Sequence, residues 1–319
     1  MVEKGYVMGL LERAERGDRR ALGRLLTLLE DISSENAWIV EYLASRSRGA
    51  HVIGVTGFPG AGKSSLISRM VRVYRDRGFR VAVITIDPTS PLSSGAILGD
   101  RLRMQEHATD PGVFIRGVTN AGFLGGLSLA ALAMMEAFDA LGYDKILVET
   151  VGVGQSETQV MYAADTIVVV VMPGAGDDVQ ALKAGVLEIG DVYVVNKSDK
   201  PEASKTYEYM LFVAEKGEVG REGAWRPPVV KTSSTLGMGI RELVDLVEKH
   251  LEYLRVSGEK ERRLLSRRRL LVRLLAEKIV LDKFSEAVEA ELAKLSNFKD
   301  FYQEALRIAR LTGERLLNL

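Results

Sequence analysis

A glycine-rich stretch, GFPGAGKS at residues 57–64, constrains the fold of this chain more than any other feature. It continues the β-branched run HVIGVTG and precedes SSLISRMVRVY, in which apolar residues recur at helical spacing. A strand, a glycine-rich loop ending in Lys-Ser and a helix, in this order, are typical of a phosphate-binding P-loop. Successive backbone N–H groups would surround phosphate oxygens, Lys63 would reach the β and γ phosphates, and Ser64 would coordinate Mg²⁺. The predicted nucleotide contacts are Gly57, Pro59, Gly60, Ala61, Gly62, Lys63, Ser64 and Ser65.

Seven short apolar runs alternate with amphipathic stretches between residues 51 and 233. They are HVIGVTG, RVAVITID, GVFIRGV, KILVET, DTIVVVVM, DVYVVNK and PPVVKTS. This alternation predicts an α/β fold in which helices flank a mostly parallel sheet. We expect residues 1–48 to form a helical extension, residues 49–256 the P-loop domain, and residues 257–319 a C-terminal helical arm.

The C-terminal arm is rich in leucine, lysine, arginine and glutamate and lacks proline. Its basic run at residues 267–269 is predicted to be a solvated helix face rather than a nucleic-acid patch. Its leucines need burial, which the arm of a second copy could supply. These leucines are Leu264, Leu265, Leu270, Leu271, Leu274 and Leu275.

Composition limits the partners and the compartment. Of the 319 residues, 46% are apolar, 43 are basic and 43 are acidic, so no whole-protein field favours nucleic acid or an anionic membrane. The chain has no cysteine, which excludes disulfides, thiolate zinc sites and thiol catalysis. Its longest apolar runs are far shorter than the ~20 residues that span a bilayer. We therefore expect a cytoplasmic protein that contacts neither membrane nor nucleic acid.

Three acidic residues follow predicted strands on the P-loop side of the sheet. Asp87 ends RVAVITID and Glu149 ends KILVE, while Asp100 lies in the loop after Asp87. Asp87 is predicted to hold a Mg²⁺-bound water or to orient the attacking water, and Asp100 to be a second acid. Glu149 is predicted to hold Mg²⁺ through water, and Gly152 to offer its N–H to the γ phosphate. An Asx turn at Asp87, a helix N-cap at Asp100 and a solvent-facing strand end at Glu149 are the structural alternatives.

The residue after Gly152 is Val153, where several GTPases carry a glutamine that positions water. Slow intrinsic hydrolysis is therefore expected. Gln155, two positions further on, could partly substitute for that glutamine or be an ordinary polar loop residue.

A second motif, NKSD at residues 196–199, follows the apolar run DVYVV. Asp199 can accept from both the ring N–H and the exocyclic amine of guanine, while Asn196 would address the N7/O6 edge and Lys197 would pack across the ring. Adenine lacks that pair of donors, so the motif predicts GTP and GDP as ligands. Ser233 and Ser234 resemble the small-residue loop whose backbone N–H meets guanine O6, although a generic helix cap explains them equally well.

The complete pattern resembles the MeaB/ArgK family of P-loop GTPases. The resemblance rests on TGFPGAGKSSL, DPTSPLSSGAILGDRLRM, ETVGVGQSE, VMPGAGDDVQALKAG and NKSD. It implies a G-protein chaperone of adenosylcobalamin-dependent methylmalonyl-CoA mutase that forms homodimers through its terminal helices. It also implies an extra switch at residues 174–183 that relays partner contact, with Asp177, Asp178 and Lys183 as its charged members. In such a family Lys63, Ser64, Asp87, Asp100 and Glu149 surround Mg²⁺ and the phosphates.

Three other functions remain open from the residues alone. A metallochaperone GTPase normally needs clustered cysteine and histidine, whereas His51, His107 and His250 are dispersed. A P-loop kinase would pass the γ phosphate to a small molecule or protein, and phosphate release without an acceptor separates it from a hydrolase. A non-catalytic module gated by nucleotide would not need the acids near Mg²⁺.

Overall fold

One sheet of seven parallel strands forms the centre of this computed structural model, which describes residues 3–33, 35–87, 104–119, 129–150, 163–174, 189–216, 224–294 and 300–316. The strands are β1 (His51–Gly57), β2 (Val81–Asp87), β3 (Val113–Thr119), β4 (Lys145–Thr150), β5 (Thr166–Val171), β6 (Val192–Val195) and β7 (Val229–Lys231). Their order in the sheet is β3-β2-β4-β1-β5-β6-β7, and each neighbouring pair is parallel. Each of the seven predicted runs contains one strand, which confirms the predicted fold class.

The central strands are buried along their whole length. All residues of β1, β4, β5 and β6 are buried, as expected when crossover helices cover both faces of a parallel sheet. Strand β1 lies between β4 and β5, with Ile53 opposite Leu147 on one side and Thr166 on the other. The chain changes direction across the sheet at this point, so a crevice opens beyond the carboxyl ends of these strands.

Nine α-helices and one short 3₁₀ helix, Gln105–His107, lie in the described part of the chain. The α-helices are α1 (Lys4–Glu15), α2 (Arg19–Glu30), α3 (Trp38–Ala44), α4 (Lys63–Asp76), α5 (Leu129–Ala140), α6 (Ala203–Lys216), α7 (Ile240–Ser257), α8 (Glu259–Leu292) and α9 (Phe301–Leu316). Helix α4 starts at the end of the P-loop and packs against both the sheet and α7. Helix α5 packs against β2 and β4 and contacts α2, α3 and α8, and all twelve of its residues are buried.

The N-terminal helices belong to the main hydrophobic core. Asp18 caps α2 by accepting from the backbone N–H groups of Arg20 and Ala21. The apolar side of α2, including Leu25 and Leu26, is fully buried in the same cluster as the sheet residues. The predicted helical extension is therefore packed onto the sheet domain.

The basic run on α8 corrects one prediction. Arg267 is buried: its Nη1 donates to the carbonyl oxygen of Ala163 at 2.9 Å and lies 3.4 Å from Oδ1 of Asp165. Arg268 donates to Glu136 at 3.2 Å. The prediction of a solvated face is therefore wrong for Arg267. The buried carboxylates of Asp165 and Glu136 and the carbonyl oxygen of Ala163 all lie close to its guanidinium. Sequence spacing could not reveal acceptors about 100 residues away along the chain.

Part of the leucine stripe on α8 is covered by the chain itself. Leu271 is buried in the core, and Leu270, Leu274 and Leu275 pack against it. Leu265 remains half exposed, as do Val280 and Leu281 further along the helix. Helix α9 packs along α8. None of the described helices combines the length and apolar character needed to cross a bilayer.

Candidate functional site

The P-loop connects β1 to α4 through backbone conformations that require glycine. Gly57 has φ +132°, and a Cβ built there would lie 2.0 Å from the carbonyl oxygen of Val170. Gly62 has φ +89°, and its Cβ would lie 2.6 Å from Nδ2 of Asn196. A side chain at either position would collide with β5 or with the NKSD turn. The close approach at Gly62 also shows that the two predicted motifs lie side by side.

Three of the predicted phosphate and metal residues meet at the start of α4. The Nζ of Lys63 donates to the carbonyl oxygens of Gly57 at 2.6 Å and Phe58 at 3.1 Å, which holds the ammonium across the loop. The Oγ of Ser64 donates to Oε1 of Glu149 at 2.7 Å. Lys63, Ser64 and Glu149 are 7%, 6% and 2% exposed. A buried ammonium and a buried carboxylate are therefore both fixed at the start of α4, each by hydrogen bonds to the P-loop or its first helical turn.

Strand pairing explains why Glu149 reaches the loop. Strand β4 lies beside β1, with Glu149 opposite Val55, two residues before Gly57. The backbone of Asp87 ends β2, and Thr85 of that strand also lies opposite Glu149. Both predicted acids therefore lie at the carboxyl ends of their strands, on the P-loop side of the sheet.

The rest of the P-loop and several predicted residues complete the placement. Ala61 and Ser65 are buried or half-buried at the start of α4, while Pro59 and Gly60 are exposed at the tip of the loop. Asp100, Gly152, Val153 and Gln155 lie outside the described residues, as do residues 175–183 of the predicted extra switch.

The NKSD turn has an unusual backbone and an oriented carboxylate. Lys197 has φ +57°, the one positive φ at a non-glycine residue in the described chain, and its Nζ lies 3.7 Å from Sδ of Met172. Asp199 is exposed, and its Oδ1 accepts from Oγ of Ser233 at 2.6 Å. That hydrogen bond lowers the pKa of the Asp199 carboxyl, so the group stays ionised and acceptor-only.

Asn196 links the two halves of the crevice. Its Nδ2 donates to the carbonyl oxygen of Ala61 at 2.8 Å. Its Oδ1 accepts from Oγ1 of Thr232 at 3.1 Å, and from the backbone N and Oγ of Ser234 at 3.2 and 2.9 Å. Asn196 therefore ties the P-loop to the segment after β7, a role beyond the predicted contact with the base edge.

Residues 232–239, called here the base loop, use the backbone N–H groups that Ser233 and Ser234 were expected to offer to guanine O6. The backbone N–H of Ser233 donates to the carbonyl oxygen of Met238 at 3.0 Å, and that of Ser234 points to Asn196. Both N–H groups already have acceptors, because that of Ser233 closes the loop and that of Ser234 bonds to the side chain of Asn196. The serines contribute through their hydroxyls, which hold Asp199 and Asn196.

Arg69 is a residue that motif analysis missed. It lies on α4, and its guanidinium donates to the carbonyl oxygens of Ser234 at 2.9 Å and Thr235 at 3.4 Å. Backbone carbonyls 165 residues away leave no trace in the sequence. The only available signal was an arginine on the P-loop helix, six residues after Lys63.

Comparison with known proteins agrees with this geometry. A family model described as "Methylmalonyl Co-A mutase-associated GTPase MeaB" matches residues 22–289. A provisionally named GTPase of Pyrococcus abyssi is 46% identical over 286 residues, covering 89% of this chain and 87% of the relative. The mouse protein "Methylmalonic aciduria type A homolog, mitochondrial" is 33% identical over 275 residues, covering 81% of this chain and 66% of the relative.

A solved structure, that of the "LAO/AO transport system kinase", superposes with a TM-score of 0.70. The two sequences are 23% identical, and the match covers 98% of this chain and 99% of that one. This likeness shows a shared fold. The family match extends well beyond the P-loop to most of the chain, and on that ground the chain belongs to the MeaB family of methylmalonyl-CoA mutase-associated GTPases.

Proposed function

We propose that this GTPase binds GTP together with Mg²⁺ and uses hydrolysis to assist an adenosylcobalamin-dependent methylmalonyl-CoA mutase. The observation that carries the nucleotide part is the buried contact of 2.7 Å between Ser64 and Glu149, beside the ammonium of Lys63. A carboxylate buried at the start of a P-loop helix is placed to bind the metal ion that accompanies the nucleotide phosphates.

The oxygen donors at this point fit Mg²⁺. Hydroxyl and carboxylate oxygens are the hard ligands that this ion prefers, and Ser64 and Glu149 bring one of each to the same place. Asp87, at the end of the neighbouring strand β2, is proposed as a further donor, and Asp100 as a second acid from the following loop. Mg²⁺ bound there would offset the negative charge of the β and γ phosphates.

The protein groups have separate tasks around the phosphates. Lys63 would exchange its two carbonyl partners for β- and γ-phosphate oxygens and stabilise the charge that develops during transfer to water. The glycines of the loop let backbone N–H groups approach the phosphates, and Gly152 is proposed to sense the γ phosphate. Since Val153 replaces a water-positioning glutamine, turnover of the isolated protein would be slow.

Guanine selection is assigned to Asp199. Its carboxylate is ionised and oriented by Ser233, so it can accept from the ring N–H and the exocyclic amine together. Lys197 is proposed to cover the ring face and Asn196 to hold the base loop and P-loop at a fixed separation. Adenine lacks this pair of donors, so it would make neither of the two hydrogen bonds to the carboxylate.

The mutase partner is supported by the family description and by the name of the mouse relative. Residues 174–183 are proposed to relay the partner's contact to the nucleotide. A homodimer through α8 and α9 is proposed because Leu265, Val280 and Leu281 remain about half exposed there.

Phosphate release from GTP and from ATP, measured for the wild type and for Glu149→Ala, tests the nucleotide part. The wild type should release phosphate from GTP much faster than from ATP. Glu149→Ala should still bind GTP but lose most of its Mg²⁺-dependent turnover, because a metal-shell carboxylate is removed. Turnover equal to wild type in this variant would show that Glu149 only ends a strand.

A further inference from the structure

Arg69 joins the phosphate-binding helix to the base loop. Helix α4 begins at Lys63, inside the P-loop, and Arg69 lies nearly two turns further along it. From there its Nε donates to the carbonyl oxygen of Ser234 at 2.9 Å and its Nη2 to that of Thr235 at 3.4 Å. One side chain thus spans the element that holds phosphates and the loop beside the base.

The base loop is closed by hydrogen bonds between its own residues. Ser233 and Met238 exchange two backbone hydrogen bonds of 3.0 and 3.1 Å across the turn. Gly239 has φ +71°, and a Cβ there would lie 2.0 Å from the carbonyl oxygen of Lys231, so this end of the loop allows only glycine. Any group that fixes the carbonyl of Ser234 therefore fixes the position of the whole loop.

The opposite side of the same short segment faces the base site. Ser233 donates to Asp199, and Ser234 donates to Asn196 through both its backbone N and its hydroxyl. A shift of the loop would move the hydroxyl that orients the Asp199 carboxylate. Orientation of that carboxylate decides whether it can accept two hydrogen bonds from guanine at once.

We propose that Arg69 is a positioning residue for guanine recognition, which sets the base loop relative to α4 and so aligns Asp199. The inference rests on the proposed guanine site and goes further by assigning specificity to a residue outside the P-loop and NKSD motifs. A planar guanidinium can hold two neighbouring carbonyl oxygens, which a lysine ammonium on a flexible stem does less well. Charged donors also make the stronger hydrogen bonds.

A matched control is available on the same helix. Arg72 lies three residues beyond Arg69 and lines the same surface groove, between α4 and the start of α7. It is exposed, and no hydrogen bond joins it to the base loop within the described chain. Removing Arg72 therefore deletes the same charge from the same surface without removing the contacts to Ser234 and Thr235.

The experiment compares wild type, Arg69→Ala, Arg69→Lys and Arg72→Ala with Mg²⁺ present. Stopped-flow fluorescence gives the release rate of labelled GDP, and calorimetry gives affinities for GDP and for inosine diphosphate, which lacks the exocyclic amine. Arg69→Ala should release GDP about tenfold faster and lose several-fold of the preference for GDP over inosine diphosphate. Arg69→Lys should fall between it and wild type, and Arg72→Ala should stay within about twofold of wild type.

The preference ratio separates positioning from general damage. An equal loss of affinity for both nucleotides in Arg69→Ala, or release and preference unchanged from wild type, would overturn the inference. If Arg69→Ala does not fold, Arg69→Lys decides by the same ratio: a reduced preference supports the inference and a wild-type preference contradicts it. A wild type that does not distinguish GDP from inosine diphosphate would instead overturn the proposed guanine site itself.

Discussion

At the scale of single residues, the side chains of the crevice hold one another in place by hydrogen bonds. Asn196 connects Ala61 with Ser234, and Ser233 orients Asp199. Preorganised donors and acceptors need not be rearranged on binding, so more of the interaction energy is available for discrimination between bases.

Substitution Asp199→Asn should reverse part of the base preference. The amide replaces one acceptor oxygen with a donor, so affinity for GTP should fall at least about tenfold. Affinity for xanthosine triphosphate should rise, because its C2 carbonyl can accept from the new amide. Calorimetry with GTP, ATP and xanthosine triphosphate measures the change, and equal affinity of the wild type for GTP and ATP would contradict the assignment of Asp199.

At the scale of elements, α7 is fixed to the amino ends of β1 and β5 by buried polar groups. His51 Nε2 lies 2.7 Å from Oγ1 of Thr166, which lies 2.8 Å from Nδ1 of His250. The outer nitrogen of each imidazole faces a carboxylate, with His250 Nε2 at 3.3 Å from Asp191 and His51 Nδ1 at 3.8 Å from Glu248. These buried contacts link helix α7 to strands β1 and β5.

Burial lowers the pKa of His250 from 6.5 to about 4, and it also lowers the pKa of His51. Burial alone would raise the pKa of Glu248, but His51 and Lys145 outweigh it and hold that pKa at about 2. The carboxylate therefore stays charged while the imidazoles titrate.

The pH dependence of stability follows from His250. Between about pH 6.5 and pH 4 the unfolded chain takes up a proton at this residue that the folded chain does not, so acid favours unfolding in this window. The loss from this group should be on the order of 3 kcal/mol. Urea unfolding across the window should show a shallower loss for His250→Gln than for wild type. Parallel stability curves for the two proteins would contradict the role of this imidazole.

The anchor of α8 gives a second test at this scale. Arg267→Ala leaves Asp165 and Glu136 buried with one cation fewer, which should lower the free energy of unfolding by about 3–5 kcal/mol. Arg269→Ala, on an exposed face of the same helix, should change it by less than about 0.5 kcal/mol. Denaturant titration of both variants measures the difference, and similar small changes would mean that the buried network contributes little.

At the scale of the whole molecule, the sequence predicted what depends on local spacing. The seven strands, the P-loop and the NKSD turn follow from periodicity and motif, so their elements and approximate limits were correct. Contacts between distant segments could not be predicted in the same way. Arg69 binds backbone carbonyl oxygens, which every residue carries and which therefore give no signal in the sequence. Arg267 pairs with acids that lie next to it only after β5 and α5 have packed.

The proposed function requires that partner binding be coupled to the nucleotide site. The phosphate site, the base loop and α4 are joined by Asn196 and Arg69, so a change in one can be transmitted to the others. If the mutase favours the hydrolysis-competent arrangement, linkage requires the nucleotide that stabilises this arrangement to tighten the complex.

The most direct measurement is phosphate release from saturating GTP during titration with a purified adenosylcobalamin-dependent methylmalonyl-CoA mutase. Wild-type turnover should rise with mutase concentration to a plateau. The reason is that contact with the partner would position the attacking water, for which the side chain of Val153 has no polar group. Lys183→Ala should retain basal turnover and lose most of the stimulation. Equal stimulation of both proteins would remove Lys183 from the relay, and no stimulation of the wild type would contradict the proposed chaperone function.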